Sequence, residues 1–435
     1  MVILLHSESG DALALGLRLQ TEGHDVGLFL NKEAAQQAGR NLIYHVEDFV
    51  SATDKADLII FDHVTKGSLA DLLRRDGHLV LGAGKFQDVI ELDRIKAIEI
   101  MRAAGVTIPE TEFFEDASFE RAIEFVEQDG GRWVFKACDN IATDKTYVSD
   151  DADSMLEYLE HLDETIEEDE NKRPKFLLQR VVDGVEVSTE RWYGEGRPIY
   201  ALDNSTFEEK KFLAGGLGPA CGCAGNIVLP HAFFDPGRLR RQTIDRVDRL
   251  AAAHGVTGPI DLNTIVAPDG RAYFLEVTAR FGYDALQAFV QLWDMPIGET
   301  LMAIAEGTDP AVAFRAPIGA AIRVSVPPYP TGDPKNARGE RVVDSILDDP
   351  QIWPGDVMLD EQERLIIGGI DAVAYVVAGI GETSDSSLAT CYRWLKTARL
   401  PDRQYRNDLA ETLPKRLRDL ERIGMLRAWS RRRAA

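Results

Sequence analysis

Short apolar runs alternate with amphipathic stretches through the first hundred residues. Val2 to Leu5, Val26 to Leu30, Leu58 to Phe61 and Leu79 to Leu81 read as strands, and Asp11 to Thr21 carries helical spacing. This alternation predicts a parallel βαβ sheet. A helix is expected from Leu92 to Ala104, ended by Gly105, with Pro109 opening an extended segment, which sets a first boundary near residue 106. Further on come a strand at Trp133 to Cys138, a helix near Asp151 to Leu162, and strands at Phe176 to Val182 and Val185 to Tyr193. Beyond them lie a glycine-dense stretch, Gly215 to Gly225, expected as a loop, a helix near Arg238 to His254, and two strands flanking Asp269 and Gly270. Strand patterns at Ala320 to Val326, Arg364 to Ile367 and Ala372 to Val377 predict a separate small β-rich domain, closed by helices from Ser386. The expected class is an α/β and α+β multidomain protein divided at 1–106, 107–184, 185–315 and 316–435.

Asp-Gly between β-rich runs is a strong hairpin signal. With Asp269 and Gly270 as the two turn residues, Asn263 faces Glu276 and Asp261 faces Thr278. Period-two alternation then gathers Asp261, Asn263, Glu276, Thr278 and Arg280 on one face, and Tyr273, Leu275, Val277, Ala279 and Phe281 on a core-like face. Oxygen ligands on neighbouring strands suit Mg²⁺, which takes one or two carboxylates and completes its shell with substrate phosphates. A solvated sheet face is the bland alternative.

The 435 residues carry 49 Lys and Arg against 72 Asp and Glu, a net charge of −23 that argues against nucleic acid and anionic membrane as partners. An anionic substrate would need cations concentrated locally. Four scattered cysteines, the absence of a basic start before a long apolar run, and no stretch of about 18 apolar residues predict a cytoplasmic, soluble chain without a disulfide framework. Ser7 to Asp11, between the first strand and helix, is placed to receive an anion but lacks the GxGxxG fingerprint. The acidic run Asp163 to Glu170 reads as a solvated loop, Cys221 and Cys223 as small loop residues rather than a zinc pair, and Arg431 to Arg433 as a solvated tail. His6 and His63 lie near strand ends of the first sheet.

Trp133 to Ala137, Leu178 to Ser188, Glu208 to Lys211 with the following glycine stretch, Tyr273 to Gly282 and Tyr405 to Asp408 together resemble, in order and spacing, the ATP-grasp ligases. More narrowly, the chain is similar to the phosphoribosylamine–glycine ligase family. The resemblance implies an N-terminal pre-ATP-grasp domain, a two-subdomain ATP-grasp fold and a small C-terminal domain. It also implies ATP with Mg²⁺ or Mn²⁺. Lys136 would contact the α and β phosphates, assisted by Lys145. Backbone groups of Arg180 and Val182, in the hinge that begins at Gln179, would pair with adenine, and Glu186 would accept from the ribose hydroxyls. Asn263 and Glu276 match the metal positions, Thr278 sits at the third, where the family usually has asparagine, and Arg280 matches an arginine on phosphate or substrate oxygens, or would instead pair with Asp261. Lys210, Lys211, Gly222, Gly225 and Arg323 are carried over as substrate contacts.

Three further departures from the family pattern stand out. The segment 139–145 has no glycine, Glu208 and Glu209 replace an aspartate-histidine, and Ala220 and Cys221 replace an asparagine-threonine. The implied reaction activates a carboxylate as an acyl phosphate for attack by an amine, with glycine and 5-phosphoribosylamine giving glycinamide ribonucleotide. Lys136 and Arg280 would stabilise the charge that develops. Another amino acid with a different amine, a nucleotide-binding homologue without turnover, and a nicotinamide dehydrogenase remain as alternatives. Small-molecule substrates and a monomer or small homo-oligomer are expected.

Overall fold

The computed structural model describes residues 1–138, 146–165 and 174–428. Val2–Ser7 lies at the centre of a five-stranded parallel sheet ordered Tyr44–His45, Asp25–Leu30, Val2–Ser7, Leu58–Phe61, Val80–Leu81. Its residues are apolar on both faces because both faces are covered: Ile3 and Leu5 join one core cluster, while Leu4 packs with Phe49 and Phe61 on the other side. The helix expected over 92–104 is present as Arg94–Ala103, with a further helix directly before it. Lys85–Leu92 and Arg94–Ala103 meet at Asp93, whose carboxylate caps the second helix by accepting from the Lys96 N–H at 3.0 Å.

Beyond Pro109 a small lobe forms around an antiparallel sheet ordered Thr111–Phe114, Phe176–Arg180, Trp133–Ala137, Thr146–Val148. Helices Phe119–Asp129 and Ala152–Thr165 cover it. Phe176 stacks on Phe114 at 4.9 Å and on Phe119 at 4.8 Å, so one aromatic ties the sheet to its helical cover.

The large lobe is built on eight antiparallel strands in the order Ala272–Thr278, Gly258–Val266, Val185–Gly194, Arg197–Leu213, Leu217–Pro230, Ile318–Ser325, Val373–Gly381, Ile352–Pro354. Two expectations change here. The glycine-dense stretch is a strand rather than a loop, because Leu217–Pro230 pairs with Arg197–Leu213 as a long arm whose glycines supply positive φ near its tip. Of the C-terminal strands, Ile318–Ser325 pairs with Leu217–Pro230 and Val373–Gly381 follows it, so the large sheet runs on across residue 316, while Leu365–Ile367 pairs with Val357–Leu359 in a two-stranded sheet of its own. Alternation identifies a strand without naming its neighbour.

The helix expected over 238–254 is broken, into Gly237–Gln242 and Asp248–His254. Between the two pieces the chain turns Asp245 and Asp248 onto the fully buried Arg191, at 2.9 and 2.7 Å, and Asp203 completes the cluster at 2.6 Å. Among the described residues no helix is long and apolar enough to cross a membrane.

Candidate active site

The two lobes meet at residues 181–184, where Gly184 packs so closely on the Val266 carbonyl that a side chain would collide with it. The cleft beside this hinge contains the candidate ribbon. Asn263 pairs with Glu276 and Asp261 with Thr278, as the Asp-Gly signal predicts, but by a different route. The turn is a three-residue loop, with Gly270 N–H donating to the Ala267 carbonyl, Ala267 N–H to the Arg271 carbonyl, and Gly270 at φ 77°. That shifts the register by one residue. A bulge at Leu275, between the Thr264–Phe274 and Asn263–Glu276 pairs, shifts it back.

The bulge also reverses the alternation. Ala272 and Phe274 are buried before it and Val277 after it, so Tyr273 and Leu275 do not belong to the core face. It brings the Leu275 carbonyl to 3.4 Å from Lys136 Nζ.

Lys136 comes from the neighbouring lobe. It is 6% exposed and donates to Gln179 Oε1 at 2.9 Å. Gln179 in turn donates to Thr111 Oγ1 at 3.2 Å, so it serves to orient the lysine. Burial, followed by the charge of Arg94, pulls the Lys136 ammonium down to about 8. Arg94 escaped the sequence reading, although its position was a clue: a cation in the first turn of a helix opposes the helix dipole and needs an external reason.

Lys210 bridges two candidate acids, at 3.0 Å from Glu186 and 2.8 Å from Glu276. The Lys210 charge holds the Glu276 carboxyl at about 2, and the two carboxylates outweigh burial to keep Lys210 well above its ordinary value. Glu276 is therefore anionic across the physiological range, in a side chain still 49% exposed. Asn263, 5% exposed, supplies an amide on the adjacent strand. One carboxylate with one amide fits a divalent cation that takes its other ligands from nucleotide phosphates, and among the described residues no cluster of three or more His, Cys, Asp or Glu competes as a metal site.

The remaining candidates divide. Arg280 pairs not with Asp261 but with Glu91, at 3.1 Å, because the helix Lys85–Leu92 is docked there by Glu91 accepting from the Ala279 N–H at 2.6 Å. Asp261 is half-buried among acids, and desolvation with the charges of Glu190 and Glu208 raises its carboxyl well above the usual range. The Arg180 side chain is held outside the cleft by Glu110 at 3.0 Å and Asp129 at 2.7 Å, and its N–H is spent on the Glu110 carbonyl at 2.8 Å. Any adenine pairing falls to its carbonyl and to Val182. Lys211 is exposed, and its carbonyl accepts from Arg406 at 2.7 Å. Gly222 lies on the exposed arm in open space, whereas Gly225 is a packing position against Leu409. Arg323 is bound by Asp284 at 2.9 Å, a partner the sequence reading did not single out. Lys145 falls outside the described residues.

Two lobes around a cleft, a strand lysine on one and an amide-carboxylate ribbon on the other, behind a parallel N-terminal sheet, define the ATP-grasp fold. The biotin carboxylase domain of *Hydrogenobacter thermophilus* 2-oxoglutarate carboxylase, solved with MgADP, ADP and bicarbonate, has this fold at 12% identity, with a TM-score of 0.67 over 97% of this chain and 98% of that one. Within that fold the chain resembles the phosphoribosylamine–glycine ligases. It is 27% identical to the *Leifsonia xyli* subsp. *xyli* enzyme of that name over 357 residues, covering 79% of this chain and 81% of the relative. The *Nostoc* sp. enzyme is 21% identical, covering 78% and 80%. The crystal structure of phosphoribosylamine–glycine ligase from *Thermotoga maritima* superposes with a TM-score of 0.70 at 18% identity, over 94% of this chain and all of that one. No family model matches the chain.

Proposed function

We propose that the chain is an ADP-forming, ATP-dependent carboxylate–amine ligase; glycine and 5-phosphoribosylamine are the pair carried over from its relatives. The observation that carries the ligase reading is the pairing of Asn263 with Glu276 across the cleft from the buried Lys136. Asn263 and Glu276 would hold Mg²⁺ or Mn²⁺, with Thr278 beside them. The cation, when bound, neutralises phosphate charge. Lys136 binds the phosphate tail, and its unusually low value makes it responsive to an arriving anion.

A substrate carboxylate oxygen attacks the γ phosphorus, the bond to the β-phosphate oxygen breaks, and ADP leaves. The amine then attacks the acyl carbon and displaces inorganic phosphate. Arg280, held by Glu91, is aimed at the oxyanions of both steps. Glu186 serves the ribose, and Lys210 keeps Glu276 ionised. The divisions of the chain near residues 106 and 184, a cytoplasmic setting and a monomer or small homo-oligomer belong to the same reading.

ADP release with a panel of acids and amines, alongside mass spectrometry of the products, tests it. Substrate-stimulated ADP that is lost in Glu276→Ala supports a ligase, and tight ATP binding that no pair stimulates reduces the chain to a nucleotide-binding homologue. A second reading keeps the chemistry and exchanges the amine. It is favoured by the four aspartates, Asp11, Asp284, Asp356 and Asp371, that line the cavity next to Arg323.

A further inference from the structure

A narrow cavity of about 50 Å³ lies where the loop after the first strand meets the segment beyond Arg280 and the C-terminal part of the large sheet. Among the described residues of its lining, Arg323 alone is cationic, and it is already spent. Asp284 engages two of its nitrogens at 2.9 Å each, and the third donates to the Tyr329 hydroxyl at 2.8 Å.

The start of the first helix, where a phosphate could otherwise dock, is filled by the protein itself. Ser7 Oγ and the Ala12 N–H both donate to the buried Asp62 carboxylate, at 2.5 and 3.0 Å, and the Gly10 N–H donates to Ser7 Oγ at 3.0 Å.

Acceptors, in contrast, are left over. Gln287 is 5% exposed and lines the cavity, yet its Oε1 has no hydrogen-bond partner among the described residues, and neither has the Tyr283 hydroxyl. Asp356 accepts from the Asp371 N–H, and burial with the Asp371 charge pushes its carboxyl up to about 8; Asp371 is raised by burial and by Asp11. Carboxylates crowded in this way are relieved by a cation and repel a phosphate.

We infer that this cavity holds the ammonium end of an aliphatic diamine, one of whose nitrogens is the acceptor of the ligation, in place of a phosphorylated amine. The inference rests on the ligase reading. A nitrogen seated among carboxylates is protonated and has no lone pair to give, so recognition and reaction need two different nitrogens. The second reaches toward Arg280, which lies within electrostatic range of Asp11. Its lone pair forms the C–N bond, the acyl C–O bond breaks, inorganic phosphate leaves with that electron pair, and the amine proton passes to water.

Calorimetric titration of the full chain at pH 8 with 1,4-diaminobutane and, separately, with inorganic phosphate tests the cavity. ADP formation with ATP, Mg²⁺ and glycine, adding either 1,4-diaminobutane or freshly generated phosphoribosylamine, tests the reaction. We expect the diamine to bind, phosphate not to bind, and affinity to fall at least tenfold in Asp371→Asn. Gln287→Leu provides the same readout if the first variant misfolds. Diamine-stimulated ADP with the mass of the glycyl amide completes the expected result. No diamine binding alongside ADP formation with phosphoribosylamine overturns the inference and leaves the ligase standing. Diamine binding lost in the variants, with no amine stimulating ADP, keeps the cavity's cation chemistry and removes the ligase reading. Failure of both assays removes both.

Discussion

Lys136→Met separates what this lysine costs the fold from what it does for the nucleotide. Met keeps the unbranched stem and removes the charge. Burial brings the ammonium from 10.5 to about 8, which makes the charged form about 3 kcal/mol less favourable in the folded chain than in the unfolded one. Against this, the variant leaves the buried Gln179 Oε1 without its donor, at a cost of about 1 kcal/mol. The net is a stabilisation of about 2 kcal/mol at pH 7, measurable by urea denaturation. The sign with pH follows from the lowered value. Below pH 8 both states carry the proton and the full penalty stands; from about 8 to 10.5 the folded lysine releases its proton while the unfolded one keeps it. Wild-type stability therefore gains up to about 1.4 kcal/mol per pH unit in that window from this group, and the advantage of the variant closes. Over the same substitution ATP affinity should fall by about 100-fold, the worth of one buried charge-assisted contact to phosphate. A variant less stable than wild type at pH 7, or one that binds ATP unchanged, refutes the reasoning.

Glu276→Gln should weaken Mn²⁺ binding in the presence of ATP, seen by electron paramagnetic resonance, and lower ADP formation on the order of 100-fold; retained Mn²⁺ binding removes the ribbon as the metal site. Arg191→Met strands the fully buried Asp203 and should cost about 3–5 kcal/mol in chemical denaturation, whereas a loss below about 1 kcal/mol contradicts the cluster. Gly184→Ala drives a methyl group into the Val266 carbonyl and should cost about 1–3 kcal/mol, read as a lowered Tm; an unchanged Tm means the hinge has room to yield.

Local chemistry was legible in the chain, and its long-range partners were not. The strand Leu58–Phe61 and the facing of Asn263 and Glu276 follow from apolar runs and a turn signal, although the facing survives because a longer turn and the Leu275 bulge offset each other. Neither irregularity has a composition of its own. Lys210 reads as a substrate contact from its neighbours in sequence, but its ion pairs come from strands that begin 25 residues earlier and end 68 later. Arg280 has Glu91 rather than Asp261 because the docking of an N-terminal helix decides the matter. Asp93, an ordinary polar position in the chain, ends one helix and caps the next, so the expected helix starts at Arg94 rather than Leu92. Pairing, docking and charge burial are properties of the assembled chain, and these are what the residue pattern leaves open.

The unbroken eight-strand sheet has a practical consequence for anyone shortening this protein. A truncation after residue 315 would strip Leu217–Pro230 of its neighbour and bare a row of N–H and C=O groups flanked by Ile227 and Val228, both fully buried in the intact chain. Such a raw margin recruits other copies, so the fragment should precipitate or form ladders of strands, and the Asn263–Glu276 ribbon at the opposite end of the same plate would be lost with it.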